Sequence, residues 1–391
     1  MTPLQVAAYT ATNAAGTGKA ALLEALVERR SGLAPWRDGG LDTYTGQVAG
    51  LDTLRVAAPL ADYDCRNHRL AQLGLDQDDF RTAVGRCAAR YGAGRVAVVM
   101  ATSTSGILET EAAYTHLEPD GALPADFHFE TVHSMHALGE FVARTLDLHG
   151  PRFTISTACS SSAKVFASAA RLIAAGIVDA AVVGGVDTLC HNTLYGFNAL
   201  QLVSATPCRP CDGDRDGISI GEGAGFMLLT REPDNGPRLL GYGESSDAFH
   251  MSSPHPEGRG AKAAMTAALT RARLTPGEID YINLHGTASV INDRIEDIAV
   301  AAVFGDTVPC SSTKGWTGHT LGAAGVTEAA IAALCLENDL VPGCLNTEAV
   351  DPTFAAKVNR GNERRPLRRA LSNSLGFGGN NCSLIFGIGD G

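Results

Sequence analysis

The sequence lacks the features that mark membrane, secreted and nucleic-acid-binding proteins. No apolar run approaches the length of a membrane span, and the first residues do not combine a basic segment with an apolar one, so neither a transmembrane helix nor a secretory signal is expected. No block rich in lysine and arginine occurs, and the net charge of −11 argues against general nucleic-acid binding. These absences predict a cytoplasmic protein that binds neither a membrane nor a nucleic acid.

A disulfide framework is also missing. The 391-residue chain has ten cysteines, which are scattered without a regular spacing. Such usage is typical of reduced thiols in a cytoplasm. Cys208 and Cys211 form one Cys-x-x-Cys pair, but without a second pair at zinc-finger spacing a metal or redox role is disfavoured.

The composition is that of an ordinary globular protein with room for about two domains. Apolar residues make up 45% of the chain and charged residues 19%. Strand and helix patterns alternate, with strands expected at residues 239–243, 279–284 and 382–386 and helices at 261–273 and 328–336. The turn-rich segment 232–237 is the best candidate linker. The pattern predicts an α/β protein with parallel or mixed sheets.

Cys159 lies where a predicted strand, residues 152–156, meets a predicted helix, residues 163–175. Unpaired N–H groups and the macrodipole at a helix start favour a thiolate, so we expect this position to lower the pKa of Cys159 and make it a nucleophile. A lone cysteine is more often a small buried core residue, so the prediction depends on the rest of the chain.

Three further glycine-containing loops carry polar residues that suit acyl-transfer chemistry. They span residues 283–293, 311–325 and 372–381. In open α/β sheets, ligands bind outside the carboxyl ends of strands, so we expect these loops to meet Cys159 at a shared site. The residues there that can act on a thioester are His285, Lys314 and His319.

These loops resemble a known family. The four signatures of the β-ketoacyl-acyl-carrier-protein synthases, the elongating condensing enzymes of fatty-acid and polyketide synthesis, are similar to four stretches of this chain. These stretches are Thr157-Ala158-Cys159-Ser160-Ser161, His285-Gly286-Thr287, Lys314 with Gly318-His319, and Gly376-Phe377-Gly378-Gly379. The match runs in order over nearly the whole chain and is closest to the Cys-His-His branch.

The resemblance implies a thiolase fold, in which two similar halves stack in five α-β-α-β-α layers. The expected halves are residues 1–232, with the nucleophile, and residues 233–391, with the histidines, the lysine and the gating loop. The resemblance also implies a dimer, made of identical subunits or formed with a related ketosynthase-like subunit. An acyl carrier protein is the implied partner, and its phosphopantetheine arm brings the substrates, so no cofactor or catalytic metal is expected.

The implied reaction is a decarboxylative Claisen condensation. Cys159 accepts an acyl chain, malonyl carrier protein loses carbon dioxide, and the enolate attacks the acyl thioester to give a 3-oxoacyl product. The backbone N–H groups of Cys159 and Phe377 are expected to hold the oxyanion. Neutral imidazoles of His285 and His319 are expected to stabilise the enolate, with Lys314 as a fixed charge beside them.

Supporting roles follow from the same resemblance. Arg66 and Arg69 stand one turn apart on a predicted helix, where they form either a solvated charged face or a small basic spot for an acidic partner. The resemblance assigns Glu328 and Glu296 as acidic partners of Lys314, and Thr287 and Ser289 as the hydroxyls that bind the pantetheine amides. It assigns Phe377 as the gate of the acyl pocket, with Ile107 and Leu375 in that pocket. Arg66 and Arg69 are assigned to carrier docking, and Asn283, Glu328 and Asn373 to a structural monovalent cation.

Two residues depart from the usual family pattern. Ser289 stands where threonine is usual and keeps the hydroxyl, whereas Leu375 replaces a phenylalanine beside the gate and changes the expected acyl pocket. Residues 101–111 look more like ketosynthases of specialised pathways, such as those that make aryl polyenes.

Two other functions compete with an elongating ketosynthase: a thiolase that uses coenzyme A, and a non-catalytic chain-length subunit of a heterodimer. The complete His285, Lys314 and His319 set counts against the first, and the presence of Cys159 counts against the second.

Overall fold

The computed structural model describes residues 1–36 and 40–389. The strands are β1 (Leu4–Asn13), β2 (Gly16–Thr17), β3 (Leu33–Pro35), β4 (Tyr44–Gly46), β5 (Val96–Ala101), β6 (Arg152–Ile155), β7 (Ala180–Asp187), β8 (Ile220–Gly221), β9 (Gly223–Thr230), β10 (Arg238–Ser246), β11 (Tyr281–Asn283), β12 (Pro309–Ser311), β13 (Leu340–Val341), β14 (Lys357–Val358), β15 (Glu363–Arg364), β16 (Arg369–Gly376) and β17 (Asn380–Gly387). The helices are α1 (Gly18–Glu28), α2 (Arg66–Leu75), α3 (Phe80–Tyr91), α4 (Ile107–Tyr114), α5 (His136–Thr145), α6 (Ser161–Ala174), α7 (His191–Ala199), α8 (Arg259–Ala272), α9 (Val290–Phe304), α10 (Lys314–Thr317) and α11 (Ala324–Asn338).

The two halves of the chain repeat one topology. Strands of the first half run in the order β6-β5-β7-β9-β1, and those of the second in the order β12-β11-β16-β17-β10, with β14 added outside β12. In each half the second strand is parallel to its two neighbours and the last strands are antiparallel. The halves join where β1 pairs with β10. The repeat supports a division between residues 232 and 233, which we propose as the domain boundary.

Helices α6 and α11 form the middle layer between the halves. Both contact strands of both halves, while α2, α3 and α5 cover the outside of the first half and α8 and α9 that of the second. Small residues allow α6 and α11 to pack closely, because a Cβ placed on Gly325 of α11 would lie 2.5 Å from the backbone nitrogen of Ala163 in α6. The layered α/β architecture of the thiolase fold, expected from the sequence, is confirmed.

This topology brings the chemically important loops to one place. Cys159 follows β6, Lys314 follows β12, His285 follows β11 and Phe377 follows β16. These are carboxyl ends of strands, where ligands of open α/β sheets bind. In the described part of the chain, no helix combines the length and apolar character needed to cross a membrane.

Candidate active site

A tight turn between β6 and α6 presents Cys159. Ala158, just before it, has a φ of 51°, in the left-handed region that few side chains favour. The backbone N–H of Thr157 donates to Ser161 Oγ at 2.8 Å, and Ser160 Oγ donates to the carbonyl of Thr157 at 2.9 Å. Short hydroxyl side chains therefore stabilise the turn and aim the thiol into the site.

Burial controls the resting state of the thiol. Cys159 is 6% exposed. Its burial raises the pKa of the thiol to about 12, a shift opposed by the charge of Lys314 and by the backbone N–H of Phe377. The expectation that the start of α6 lowers this pKa is therefore wrong for the resting protein, because loss of hydration outweighs the helix terminus. The thiol needs a neighbouring group to become nucleophilic.

Two histidines flank the sulfur. Nε2 of His319 lies 2.9 Å from Sγ of Cys159, and which atom donates depends on the tautomer. The ring of His285 stands nearly perpendicular to that of His319, with centroids 5.3 Å apart. One ring nitrogen of each histidine and the sulfur all lie within 4.8 Å of one another. Such a set could also ligate a zinc ion, which would block the thiol.

Both imidazoles are held in the neutral form. Burial lowers the pKa of His285 and of His319 well below the usual value, and the positive charge of Lys314 lowers both further. A neutral imidazole keeps one N–H donor and one lone pair at neutral pH. The pair can therefore donate hydrogen bonds to a developing enolate oxygen without first losing a proton.

Lys314 is a buried cation with two close partners. It is 1% exposed, and its Nζ donates to the carbonyl of His285 and to Oε1 of Glu328. Burial raises the pKa of Glu328 to about 7, while Lys314 opposes that rise. The lysine thus connects the backbone of one histidine to an internal carboxylate, and its charge adds to the burial that keeps both imidazoles neutral.

Glu296 organises the His285 loop through backbone contacts. Its two oxygens accept hydrogen bonds from the N–H groups of His285 and Gly286, each at 2.8 Å, and Asn373 Nδ2 donates to Oε1 at 3.1 Å. Burial raises the pKa of Glu296 to about 7. Glu296 therefore contacts the His285 backbone rather than Lys314, whereas Glu328 is the acidic group that contacts the lysine.

Two cavities meet at Cys159 and are separated by Phe377. One, of about 210 Å³, is lined by both histidines, by Thr287 and by Ser289. The other, of about 350 Å³, lies along α7 and is lined mainly by apolar residues, among them Phe197, Leu200, Leu321 and Phe377. The ring of Phe377 contacts that of Phe197 with centroids 5.6 Å apart. A chain moving from the first cavity to the second must therefore pass Phe377.

Three of the four sequence-predicted pocket residues line the smaller cavity. The hydroxyls of Thr287 and Ser289 lie 3.0 Å apart on the wall of the smaller cavity, where Leu375 also lies. Ile107 begins α4 and lies outside the lining of both cavities. A role for Ile107 in the acyl pocket therefore stays a prediction.

Two residues of the site escaped the sequence analysis. Phe197 has no motif around it, because its importance arises only from its contact with Phe377. Asp187 ends β7 fully buried and accepts hydrogen bonds from the loop after β5, from Ser103 among others, and from the N–H of Gly322. A carboxylate directly after an apolar strand was the available signal for Asp187.

The two arginines predicted for carrier docking are already engaged within the protein. Arg66 donates to Glu222 and Asp52, and Arg69 donates to Asp64. Their side chains are only 12% and 17% exposed. The expectation of an open basic spot is therefore wrong, because carboxylates match both guanidinium groups. Contact with a carrier protein through these side chains stays a prediction.

The residues predicted to hold a monovalent cation retain suitable oxygens. Oδ1 of Asn283 and Oε2 of Glu328 are buried without a hydrogen-bond partner among the described residues. Oδ1 of Asn373 accepts from Ser383 Oγ at 2.7 Å and keeps a second lone pair. A structural monovalent cation at these oxygens stays a prediction.

Known protein sequences resemble most of this chain. The sequence profiles of the β-ketoacyl synthase N-terminal and C-terminal domains match residues 2–235 and 238–348. A 3-oxoacyl-[acyl-carrier-protein] synthase 2 of Rhizobium meliloti is 41% identical over 61% of this chain. The mitochondrial 3-oxoacyl-[acyl-carrier-protein] synthase of Arabidopsis thaliana is 38% identical over 63% of it. The aligned parts span 61% and 58% of those two proteins.

A solved structure agrees with the sequence comparison. A chain in the complex of a ketosynthase with its chain length factor from Xenorhabdus doucetiae has a TM-score of 0.91 and 40% identity, covering 99% of this chain and 98% of that one. The fold, the Cys159, His285 and His319 arrangement and both domain profiles agree. The chain therefore belongs to the β-ketoacyl synthase family.

Proposed function

We propose that this chain catalyses the decarboxylative condensation of an acyl chain, carried on Cys159, with malonyl carrier protein. The observation that supports it best is the contact of Cys159 Sγ with His319 Nε2 at 2.9 Å, beside the second neutral imidazole of His285. A thiol, two N–H donors and a buried cation are the groups that this reaction requires. The product is a 3-oxoacyl carrier protein with two more carbons.

In the first step Cys159 becomes acylated. His319 stabilises the thiolate through Nε2, and the sulfur attacks the thioester carbonyl, forming a C–S bond while the pantetheine sulfur leaves and takes up the proton. The oxyanion formed on the way needs donors in place beforehand, and we assign this role to the N–H groups of Cys159 and Phe377. The backbone N–H of Phe377 lowers the pKa of Cys159, which supports this assignment.

In the second step the histidines act on malonyl thioester. Once the sulfur is acylated, Nε2 of His319 is released and joins His285 in donating to the thioester oxygen. The bond to the carboxylate breaks, carbon dioxide leaves, and the electron pair enters the enolate. The enolate carbon then attacks the acyl carbonyl, and Cys159 leaves as a thiolate. Only side-chain and backbone groups act, so the proposal requires no cofactor.

The cavities support the direction of substrate entry. The cavity with Thr287 and Ser289 suits the amide-bearing pantetheine arm, because hydroxyls can bind its amides. The more apolar cavity along α7 suits the acyl chain. We propose Phe377 as the gate between them and Leu375 as a neighbour that shapes the passage.

The proposed partners are an acyl carrier protein and a second ketosynthase-like subunit. The Xenorhabdus relative was solved with its chain length factor, which supports a heterodimer. In the described part of the chain, β6 lies at the outer edge of the sheet with no strand beyond it, and unpaired edges are usually covered. The ten free thiols support a reducing, cytoplasmic setting. Aryl-polyene or another specialised synthesis is the proposed pathway class.

The decisive experiment offers the purified protein, alone and with a co-expressed partner subunit, a panel of acyl carrier proteins and malonyl carrier protein. Mass spectrometry should detect acylated Cys159 and products two carbons longer. Cys159→Ala is the matched control. If products form equally with the wild-type chain and with this variant inside the same complex, the chain is a chain-length subunit and the proposed catalytic role is wrong.

A further inference from the structure

One lysine near the nucleophile is not used by the mechanism above. Lys164 lies in the first half of α6, the helix that follows Cys159, and its side chain is half-buried. Its Nζ donates to Oδ1 of Asn380 at 2.9 Å. The partner is a neutral amide and not a carboxylate, so the contact holds two elements together rather than neutralising a charge.

Asn380 lies at the base of the turn that carries Phe377. It is the first residue of β17 and comes directly after the short turn Phe377–Gly379. Asn380 pairs with Gly376 of β16, so these two residues close the turn. A bond to Asn380 therefore acts on the base of the turn that carries the Phe377 N–H.

The turn is held from two sides. The segment after β10 binds one side, since Gly378 N–H donates to the carbonyl of Met251 at 2.7 Å and Asp247 N–H donates to the carbonyl of Gly379 at 2.9 Å. On the other side lies α6, the helix of the nucleophile. Among the described residues, one side-chain hydrogen bond joins α6 to the turn and its flanking strands, and Lys164 donates it.

The turn itself has little internal stiffness. Gly378 and Gly379 have φ values of 77° and 73°, a region that glycine enters without strain and can also leave readily. The Phe377 N–H must nevertheless face Cys159, and small displacements of an oxyanion donor weaken transition-state stabilisation. An external contact that holds the turn against α6 would preserve this geometry.

We propose that Lys164 is a positioning residue, whose hydrogen bond to Asn380 holds the Phe377 turn against the nucleophile helix during acyl transfer. This inference rests on the proposed ketosynthase function. It assigns no contact between Lys164 and substrate.

The same helix offers a matched control. Arg171 lies further along α6 and donates to Glu244 Oε2 of β10 at 2.6 Å, away from the turn. Arg171→Met and Lys164→Met each remove one cation from α6 together with its hydrogen bond to a strand of the second half. Only the second variant releases the Phe377 turn.

Steady-state kinetics of the intact complex provides the first test. Lys164→Met should lower kcat for condensation by about tenfold, with KM for malonyl carrier protein unchanged, because a misplaced oxyanion donor affects the transition state. Lys164→Arg should restore most of kcat, since its guanidinium can still donate to Asn380. Arg171→Met should resemble the wild type. A Lys164→Met variant with wild-type kcat would overturn the proposal.

Hydrogen exchange provides a second test that does not need catalytic activity. Amides of residues 376–381 should exchange faster in Lys164→Met and in Asn380→Ala, and the double variant should exchange no faster than either single one. Unchanged exchange in both variants would refute the positioning role, even if the protein is an active ketosynthase. Faster exchange in both variants, together with a wild-type chain that fails to condense any substrate, would support the contact and refute the proposed function alone.

Discussion

The part of the active site around Cys159, the thiol side, and the part around His285 and His319, the imidazole side, are built in opposite ways. Around Cys159, hydroxyls of the turn bond to neighbouring backbone groups, as Ser160 and Ser161 do. On the imidazole side, buried polar atoms have no hydrogen-bond partner among the described residues. These atoms are Nδ1 of His285, Nδ1 of His319, Oε2 of Glu328 and Oδ1 of Asn283.

The two sides therefore prepare the site for catalysis in two different ways. Satisfied hydrogen bonds favour one backbone geometry, so the thiol side determines where the sulfur and the oxyanion donors lie. Unpaired polar atoms in a low-dielectric interior act strongly on any charge that develops nearby. The thiol side thus supplies position, and the imidazole side supplies electrostatic stabilisation. The following variants test that division, beginning with the largest expected effect.

Cys159→Ala should abolish condensation while leaving malonyl decarboxylation measurable. The variant removes the acyl acceptor but keeps His285, Lys314 and His319 in place. Release of carbon dioxide from malonyl carrier protein and 3-oxoacyl product should be measured together by mass spectrometry. Loss of both activities in a folded variant would contradict the division, because the imidazole side would then depend on the thiol.

His319→Ala and His285→Ala should each lower malonyl decarboxylation by about 10²–10³-fold, the usual effect of losing one preorganised donor. The measurement is the rate of carbon dioxide release under saturating malonyl carrier protein. His116→Ala, a change at an exposed site, is the control. An unchanged rate in either active-site variant would remove that histidine from the enolate site.

Ser161→Ala should destabilise the thiol side. The change leaves the N–H of Thr157 without its side-chain acceptor, which typically lowers the free energy of unfolding by about 1–3 kcal/mol. Urea unfolding would measure the loss. Decarboxylation should fall less than acylation of the cysteine, and an equal fall in both would argue that the two sides are not separable.

The pH dependence should reveal the neutral histidines. Because the folded pKa of His285 and His319 lies below the usual 6.5, the unfolded chain binds protons there that the folded chain does not, and stability falls as the pH drops below about 6.5. Each such histidine contributes up to about 1.4 kcal/mol per pH unit.

His285→Ala isolates this contribution. Relative to the wild type, its unfolding free energy should decline less between pH 6.5 and 5.5. The buried carboxyls of Glu296 and Glu328, with pKa values raised to about 7, act with the opposite sign in both proteins and cancel in the difference. Parallel pH curves for the two proteins would mean that His285 titrates alike in the folded and unfolded chains.

Leu375→Phe should have the smallest effect. The larger side chain crowds Phe377 and narrows the proposed passage to the apolar cavity that takes the acyl chain, so products should shift towards shorter chains. A change in preference of about tenfold or less is expected, and competition between acyl carrier proteins of different length would measure it. An identical product distribution would show that this position does not shape the passage.

The local structure was largely predictable. Residues 239–243, 279–284 and 382–386 lie in or around β10, β11 and β17, as their patterns indicate. The helix expected at 328–336 begins earlier, at Ala324, because burial on all sides hides its amphipathic start. Element type followed from residue pattern, whereas element ends depended on packing.

The predicted state of charged groups was less accurate. Arg66 and Arg69 have the helical spacing expected, yet nothing in the sequence pairs Arg66 with the distant Glu222 or Arg69 with Asp64. Likewise the pKa of Cys159 depends on burial between two halves and on Lys314, neither of which the turn sequence reveals. Long-range desolvation and ion pairing are properties of the folded chain.

The sequence by itself determined the fold class, the family and the reactive residue types, because these depend on short motifs and on local hydrophobic pattern. Only the tertiary structure decided that His319 touches the sulfur, that burial beside Lys314 keeps both histidines neutral, and that Lys164 reaches the Phe377 turn. The first and the last of these features join residues from both halves of the molecule, and all three depend on a shared interior that excludes water.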